Sequence, residues 1–219
     1  IVIDEAHHSQ ADSYRKLFDH FQPQLLVGLT ATPERMDGKD LRPDFGNRIS
    51  AEIRLPQALQ AGLLTPFQYL CISDDTDISD DSLWSGQKYN IERLADKLCA
   101  KTRAQLIVDA LHKYLADEYT CRALCFCVNK RHADFMAEQL RLYGFNAQSL
   151  TSDTPADERK QLAKDLREGT LHYLCVVDIF NEGVDIPEID TVLFLRPTES
   201  LTIFLQQLGR GLRLSAGKT

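Results

Sequence analysis

No run of 18 or more apolar residues occurs in the 219-residue chain, so no membrane-crossing helix is expected. No basic start leads into a short apolar segment, so no secretory leader is read and the expected location is cytoplasmic. There is no internal repeat of short fixed period. Positive charge is not in excess: 25 Lys and Arg stand against 32 Asp and Glu, a formal charge of −7. Acidity lowers the expectation of a nucleic-acid binder, but five of the acids crowd into the single stretch 74–81, which leaves room for a local basic groove. Cys-x-x-Cys pairs and paired zinc spacings are also missing, although there are six cysteines. Cys125, Cys127 and Cys175 sit in apolar strand-like runs, which reads as small buried thiols in a reducing compartment. A metal cluster of Cys121, Cys125 and Cys127 is the alternative. What is present is ordinary globular composition, 43% hydrophobic and 26% charged, which excludes a mostly disordered chain. The chain opens on Ile1-Val2-Ile3, already strand-like and without an initiating Met, so a piece of a longer parent is expected.

Hydrophobic periodicity divides the chain. A strand end at Ile1–Ile3 precedes a helix over 11–21 that Pro23 stops, and Leu25–Leu29 reads as a second buried strand. Residues 33–50 are loop-like, Leu55–Gln60 is a short helix and Phe67–Ile72 a strand. The Asp-rich stretch opens an expected linker, 74–89. Beyond it come a long helical stretch over 91–116, strand Ala123–Val128, helix 130–143, strand Ala147–Leu150, a helix capped by Thr154-Pro155 and stopped by Gly169, strands Leu171–Val177 and Thr191–Leu195, and a helix over 199–208. Strands apolar throughout, alternating with helices, indicate an α/β fold with a parallel sheet covered on both faces. The expected domains are 1–73, the linker 74–89, and 90–219. In such sheets ligands gather at the carboxyl ends of strands.

Four groups of residues follow strands. Asp4-Glu5-Ala6-His7 follows Ile1–Ile3. Two acids at a buried strand end suit Mg²⁺ held by Asp4, through water, and a water activated by Glu5 for attack on a γ-phosphate. His7 can bond to groups that sense that phosphate. A solvated acidic strand end is the plainer reading, and a zinc site of His7, His8 and the acids is a further alternative. Thr30-Ala31-Thr32 offers hydroxyls to His7 or to the acid pair, or is simply a turn. Val177 to Pro187 contains Gly183, suited to close backbone approach, and Asp185, an acceptor for a ribose or an arginine. Gln206-Gln207-Leu208-Gly209-Arg210-Gly211-Leu212-Arg213 places two guanidinium forks beside glycines. Those forks match phosphate oxygens, or are cations favoured at a helix end.

Their order, DEAH, then TAT, then EGxD, then QxxGRxxR, resembles the superfamily 2 helicases, specifically DEAH-box members. Phe126-Cys127-Val128-Asn129 resembles a further family motif, and Ser152–Arg159 lies where the family has a nucleic-acid-facing loop. The Glu34–Gly38 and Asn181–Pro187 segments look like the bacterial branch near DNA-repair helicases and type III restriction subunits. The resemblance implies two RecA-like P-loop NTPase domains, the first truncated here, with ATP and Mg²⁺ in the cleft between them and nucleic acid across both. Carried over by motif, Glu5, Arg210 and Arg213 would be catalytic. Asp4, His7, Gly183, Asp185 and Gln206 would serve the nucleotide, with Asp4 on the metal. Thr30, Thr32, Asn129, Lys130 and Ser152 would lie on the nucleic-acid side. DNA is favoured over RNA on the branch resemblance alone.

Two departures qualify this. No GxxxxGK[ST] exists, and Gly217-Lys218-Thr219 lacks the strand-and-loop setting of a P-loop, so the chain by itself is expected not to turn over ATP. Val177 stands where the family often has Thr on a phosphate. A non-catalytic nucleic-acid-binding module and the motor subunit of a restriction enzyme are the competing readings. The chain shows no nuclease constellation.

Overall fold

The computed structural model describes residues 1–6, 9, 12–31, 42–86, 88–177, 185–198 and 200–218. Two compact units are present: residues 1–60 with 198–206, and residues 61–197 with 207–219.

In the first unit, β1 (Val2–Ile3) pairs in parallel with β2 (Val27–Gly28), with Val2 opposite Val27. α1 (Asp12–Phe21) lies between them in sequence, and α2 (Leu55–Gln60) closes the first stretch of the unit. The Arg42–Phe45 turn is tied back by Asp44, which accepts from Arg15 at 2.5 Å and from the Ser9 hydroxyl at 3.3 Å. The expected buried strand over 25–29 is only two residues long, and Leu25 and Leu29 are exposed. Its apolar side chains favour a strand, but among the described residues only β1 lies beside it.

The second unit is built on an all-parallel sheet of β5 (Ala123–Phe126), β6 (Ala147–Leu150), β7 (Tyr173–Val176) and β8 (Thr191–Phe194), in the order β6-β7-β5-β8. Registers are continuous: Cys125 stands opposite Cys175 on one side and Leu193 on the other. Alternation along the strands sends side chains to two cores. Ala123, Cys125, Tyr173 and Cys175 face α4 (Lys101–Tyr114) and α5 (Lys130–Leu142), packing on Ala104, Val108, Ala133, Met136 and Ala137. Leu124, Phe126, Leu174 and Val176 face α6 (Ala156–Glu168) through Leu162 and Leu166. Small side chains on the first face let two helices approach the sheet closely; that is the structural use of the cysteines. All six cysteines are free, and no metal-holding group occurs among the described residues.

Three local expectations are corrected. Residues 91–116 form two helices, α3 (Ile91–Leu98) and α4, parted at Cys99 and Ala100. No Gly or Pro marks this break. Packing sets it: Leu94 and Leu98 join Val128, Ile78 and Tyr89 in a separate cluster, whereas α4 faces the sheet. The Thr154 hydroxyl oxygen does not cap α6. It accepts from the Thr151 N–H at 3.0 Å, and the helix begins one residue later, after Pro155. Phe67–Ile72 has no ladder partner among the described residues. It borders, with α4 and β8, an open cavity of about 860 Å³. Alternating apolar residues supply strand propensity, but a strand also needs a neighbouring edge.

The acidic stretch 74–81 is tied down by its own carboxylates. Asp74 holds Arg103 at 2.9 Å, Asp80 accepts from Ser82 N–H, and Ile78 joins the α3 cluster. It leads through the Asp81–Leu83 turn into a hairpin of β3 (Trp84–Ser85) and β4 (Lys88–Tyr89), where the Trp84 and Tyr89 rings lie 4.1 Å apart. The last helix, α7 (Leu201–Gly211), carries the arginine motif. A Cβ at Gly211 would sit 2.8 Å from Val192 Cγ2 of β8, too close for any side chain. Gly211→Ala is expected to destabilise the second unit by about 1–3 kcal/mol, as overpacking does. Denaturant titration checks this, with partial recovery when Val192→Ala is added.

Candidate functional site

The first cluster lies at the carboxyl ends of β1 and β2. The Leu29 N–H donates to the Ile3 carbonyl at 2.8 Å, and the Ala6 N–H to the Leu29 carbonyl at 2.8 Å. These two bonds set the turn bearing Asp4 and Glu5 beside the segment bearing Thr30. The Glu5 N–H donates to the Asp4 carboxylate at 2.9 Å, and Glu5 holds φ +50, in the left-handed region. Asp4 is exposed and Glu5 half-buried. An exposed carboxylate at a strand end offers the hard oxygen donor that Mg²⁺ prefers, so the donor chemistry fits that ion. His7, Thr32 and Gly183 fall outside the described residues.

The second cluster belongs to the arginine motif. Arg213 Nη1 donates to the Asp185 carboxylate, joining two residues 28 positions apart. The Asp185 carbonyl accepts from Arg167 Nη2 at 2.8 Å. The Arg213 carbonyl in turn accepts from the Thr65 hydroxyl at 3.1 Å and from Lys218 Nζ at 2.9 Å. Arg210 and Gln206 lie partly buried on α7. Their neighbour Gln207, which sequence reasoning passed over, is buried with neither amide atom hydrogen-bonded.

The third cluster gathers Asn129, Lys130 and Ser152. Asn129 caps α5: its Oδ1 accepts from the His132 N–H at 3.0 Å, and its Nδ2 donates to Glu92 at 3.0 Å. Lys130 Nζ reaches Asp153 at 2.6 Å, and Arg131 reaches Asp96 at 2.6 Å. The Lys130 ammonium holds the Asp153 carboxyl below the usual range. Arg159 pins the loop, donating to the Thr154 carbonyl at 2.7 Å and the Ser152 carbonyl at 2.6 Å. Sequence reasoning missed Glu92, Asp96 and Asp153, because no short spacing marks an acid that meets its cation only through the fold.

A parallel sheet with helices on both faces, acids at one strand end and two arginines, one on a later helix and one just beyond it, are features of the RecA-like helicase class. The model of the helicase conserved C-terminal domain matches residues 86–215, and that of the type III restriction enzyme res subunit matches residues 1–35. The chain belongs to the helicase conserved C-terminal domain family, within superfamily 2. A 51.5 kDa protein of Lactococcus phage (isolate 7-9) is 30% identical over 219 residues, covering all of this chain and 47% of the relative. IRC3 of Saccharomyces cerevisiae, named for a proposed ATP-dependent helicase activity, is 31% identical over 225 residues, covering all of this chain and 32% of the relative. A fragment assigned to the HsdR subunit of a type I restriction enzyme from Vibrio vulnificus YJ016 superposes with TM-score 0.70 and 25% identity, over 99% of this chain and 41% of that one. The chain therefore spans half or less of the length of these relatives.

His132, beside the third cluster, is fully buried. Its Nδ1 accepts from the Val128 N–H at 3.3 Å, and its Nε2 has no partner among the described residues. Burial, with Arg103 and Arg131 nearby, pushes it down to about 4. The imidazole stays neutral when folded and takes up a proton on unfolding below about pH 6.5. Its contribution is complete above that pH and is lost as the pH falls toward 4. Denaturant titrations at pH 7 and pH 5 should differ by about 2 kcal/mol from this residue, and His132→Asn should remove that part of the slope.

Proposed function

We propose that the chain is the part of an ATP-dependent nucleic-acid helicase or translocase that carries the water-activating acids and the arginine motif. The observation that carries this reading is the side-by-side placement of Asp4, Glu5 and Thr30 at the carboxyl ends of two parallel strands. The family match supports it. In this reading residues 1–73 contribute the end of a first RecA-like domain and 90–219 the second, with 74–89 between them. The match of the helicase model from residue 86 supports the latter start. A cytoplasmic, reducing setting fits six free thiols.

Each residue has a stated task. Asp4 would hold Mg²⁺, and Glu5 would orient and deprotonate the attacking water. Arg210 neutralises charge that develops on the transferring phosphoryl group, where a guanidinium fork is worth several orders of magnitude in rate. Asp185 holds Arg213 in position, so that Arg213 does not sample many rotamers before use. ATP with Mg²⁺, when bound, would supply the phosphoryl transfer that drives movement. Gln206, with His7 and Gly183, completes the nucleotide side. Asn129, Lys130 and Ser152 contact the nucleic-acid backbone, Thr30 and Thr32 link the two functions, and binding is mostly electrostatic and salt-sensitive.

DNA is the favoured substrate. The likeness to the HsdR fragment and the res-subunit match favour a second reading, the motor of a restriction enzyme acting on duplex DNA. ATP turnover by the full-length protein with single-stranded DNA, duplex DNA or RNA decides among these. Stimulation by DNA supports the motor, nuclease activity on duplex DNA supports the restriction reading, and no turnover leaves a binding module. The 219-residue chain alone should not hydrolyse ATP.

In the full-length protein, Arg210→Ala should lower kcat about 10³-fold, and steady-state ATPase measurement checks it. Glu5→Gln should retain ATP binding while hydrolysis stops, as read by nucleotide retention in a filter assay.

A further inference from the structure

Three consecutive residues at the start of α5 each donate to an acid: Asn129 to Glu92 at 3.0 Å, Lys130 to Asp153 at 2.6 Å and Arg131 to Asp96 at 2.6 Å. The first and third acids lie on α3 and tether that helix. Asp153 differs. It stands in the loop after β6, its carboxylate is three-quarters exposed, and its side chain reaches across to Lys130 from 23 positions away. Ser152 also lies within 3.5 Å of the same carboxylate oxygen.

The loop holding Asp153 is rigid by construction. Arg159 pins the carbonyls of Ser152 and Thr154. The Thr154 hydroxyl oxygen accepts from the Thr151 N–H, and the Thr151 hydroxyl oxygen accepts from the Asp153 N–H at 3.3 Å. An exposed ion pair between two free side chains contributes little, because both lose freedom on pairing. Here the backbone of one partner is fixed before the pair forms, so the carboxylate is carried to the cation at a smaller loss of freedom.

We propose that Asp153 holds the place of a backbone phosphate in the nucleic-acid-free protein, and so sets the affinity and salt dependence of binding through Lys130. This rests on the reading of Lys130 and Ser152 as nucleic-acid contacts. A phosphate arriving at Lys130 displaces a carboxylate, not only water and salt. The carboxylate then gathers a cation from solution, which offsets the counterion that the phosphate releases. The result is weaker, less salt-sensitive binding that releases readily, as a protein moving along a strand requires.

The test uses the full-length protein and a fluorescently labelled single-stranded oligothymidylate, titrated between about 50 and 200 mM salt. Asp153→Asn should bind about 2- to 5-fold more tightly, the scale of one exposed ion pair. Its plot of log affinity against log salt should steepen by up to about 0.7, the value of one single-strand phosphate contact. In a Lys130→Gln background the gain from Asp153→Asn should vanish. Asp153→Ser, with an unchanged melting temperature, should repeat the gain. An unchanged or weaker Asp153→Asn protein overturns the proposal. An equal gain with and without Lys130 overturns it too, since the acid then acts only as distant charge. A parent protein that binds no nucleic acid in a salt-dependent way removes the functional reading itself, and this proposal with it.

Discussion

The hydrogen-bonded ladder of the four parallel strands is the constraint on which the second unit depends. Parallel strands need long crossovers, and those crossovers bring helices to the faces, so every residue of β5 and β7 is enclosed. Enclosure on both sides demands side chains of matched size. Cys125, Cys175, Ala133 and Ala137 allow close approach on one face, and Leu124, Phe126, Leu166 and Leu174 fill the other. With the strands locked in register, their carboxyl ends become fixed points. The Asn129 cap and the Ser152 loop depart from those ends, and their side chains inherit the order of the sheet.

Charge in this molecule is arranged by pairing more than by sum. A chain of formal charge −7 is an unpromising partner for a polyanion. Yet the acids are placed where they engage particular cations: Asp74 on Arg103, Asp96 on Arg131, Asp153 on Lys130 and Asp185 on Arg213. Some of these pairs join one helix to another, as Asp96 on α3 does with Arg131 on α5, and others join a loop to a helix, as Asp153 does with Lys130. Net charge speaks to solubility and approach, whereas a polyanion is met by individual groups. An acidic protein can therefore present a basic contact when the competing acid is near, oriented and displaceable.

The fold class was legible in the sequence because apolar runs alternating with helical periods admit few solutions. Ala147–Leu150 reads as a strand and is one, and Gly169 ends α6 at φ +77 because the left-handed position excludes most side chains. The misreadings have a common cause. Phe67–Ile72 and Leu25–Leu29 have the composition of strands, but a strand is a relation between two segments, and neighbours are not written in local composition. The break at Cys99 and Ala100 likewise follows from which core each half of the stretch meets, not from any residue at the break.

The candidate site divides in the same way. The order of short motifs along the chain, and the family resemblance it carries, pointed to the acid pair after β1, to the arginines at and just beyond the end of α7 and to Asn129, whose capping of α5 only the structure shows. Distant partners were invisible: Arg213 meets Asp185 across 28 positions and Lys130 meets Asp153 across 23. The sequence alone determined which chemical groups exist and which element each one ends. Tertiary structure decided which acid each cation faces, because contacts between residues far apart in the chain depend on how strands order themselves in the sheet, and that order is set by packing over the whole unit.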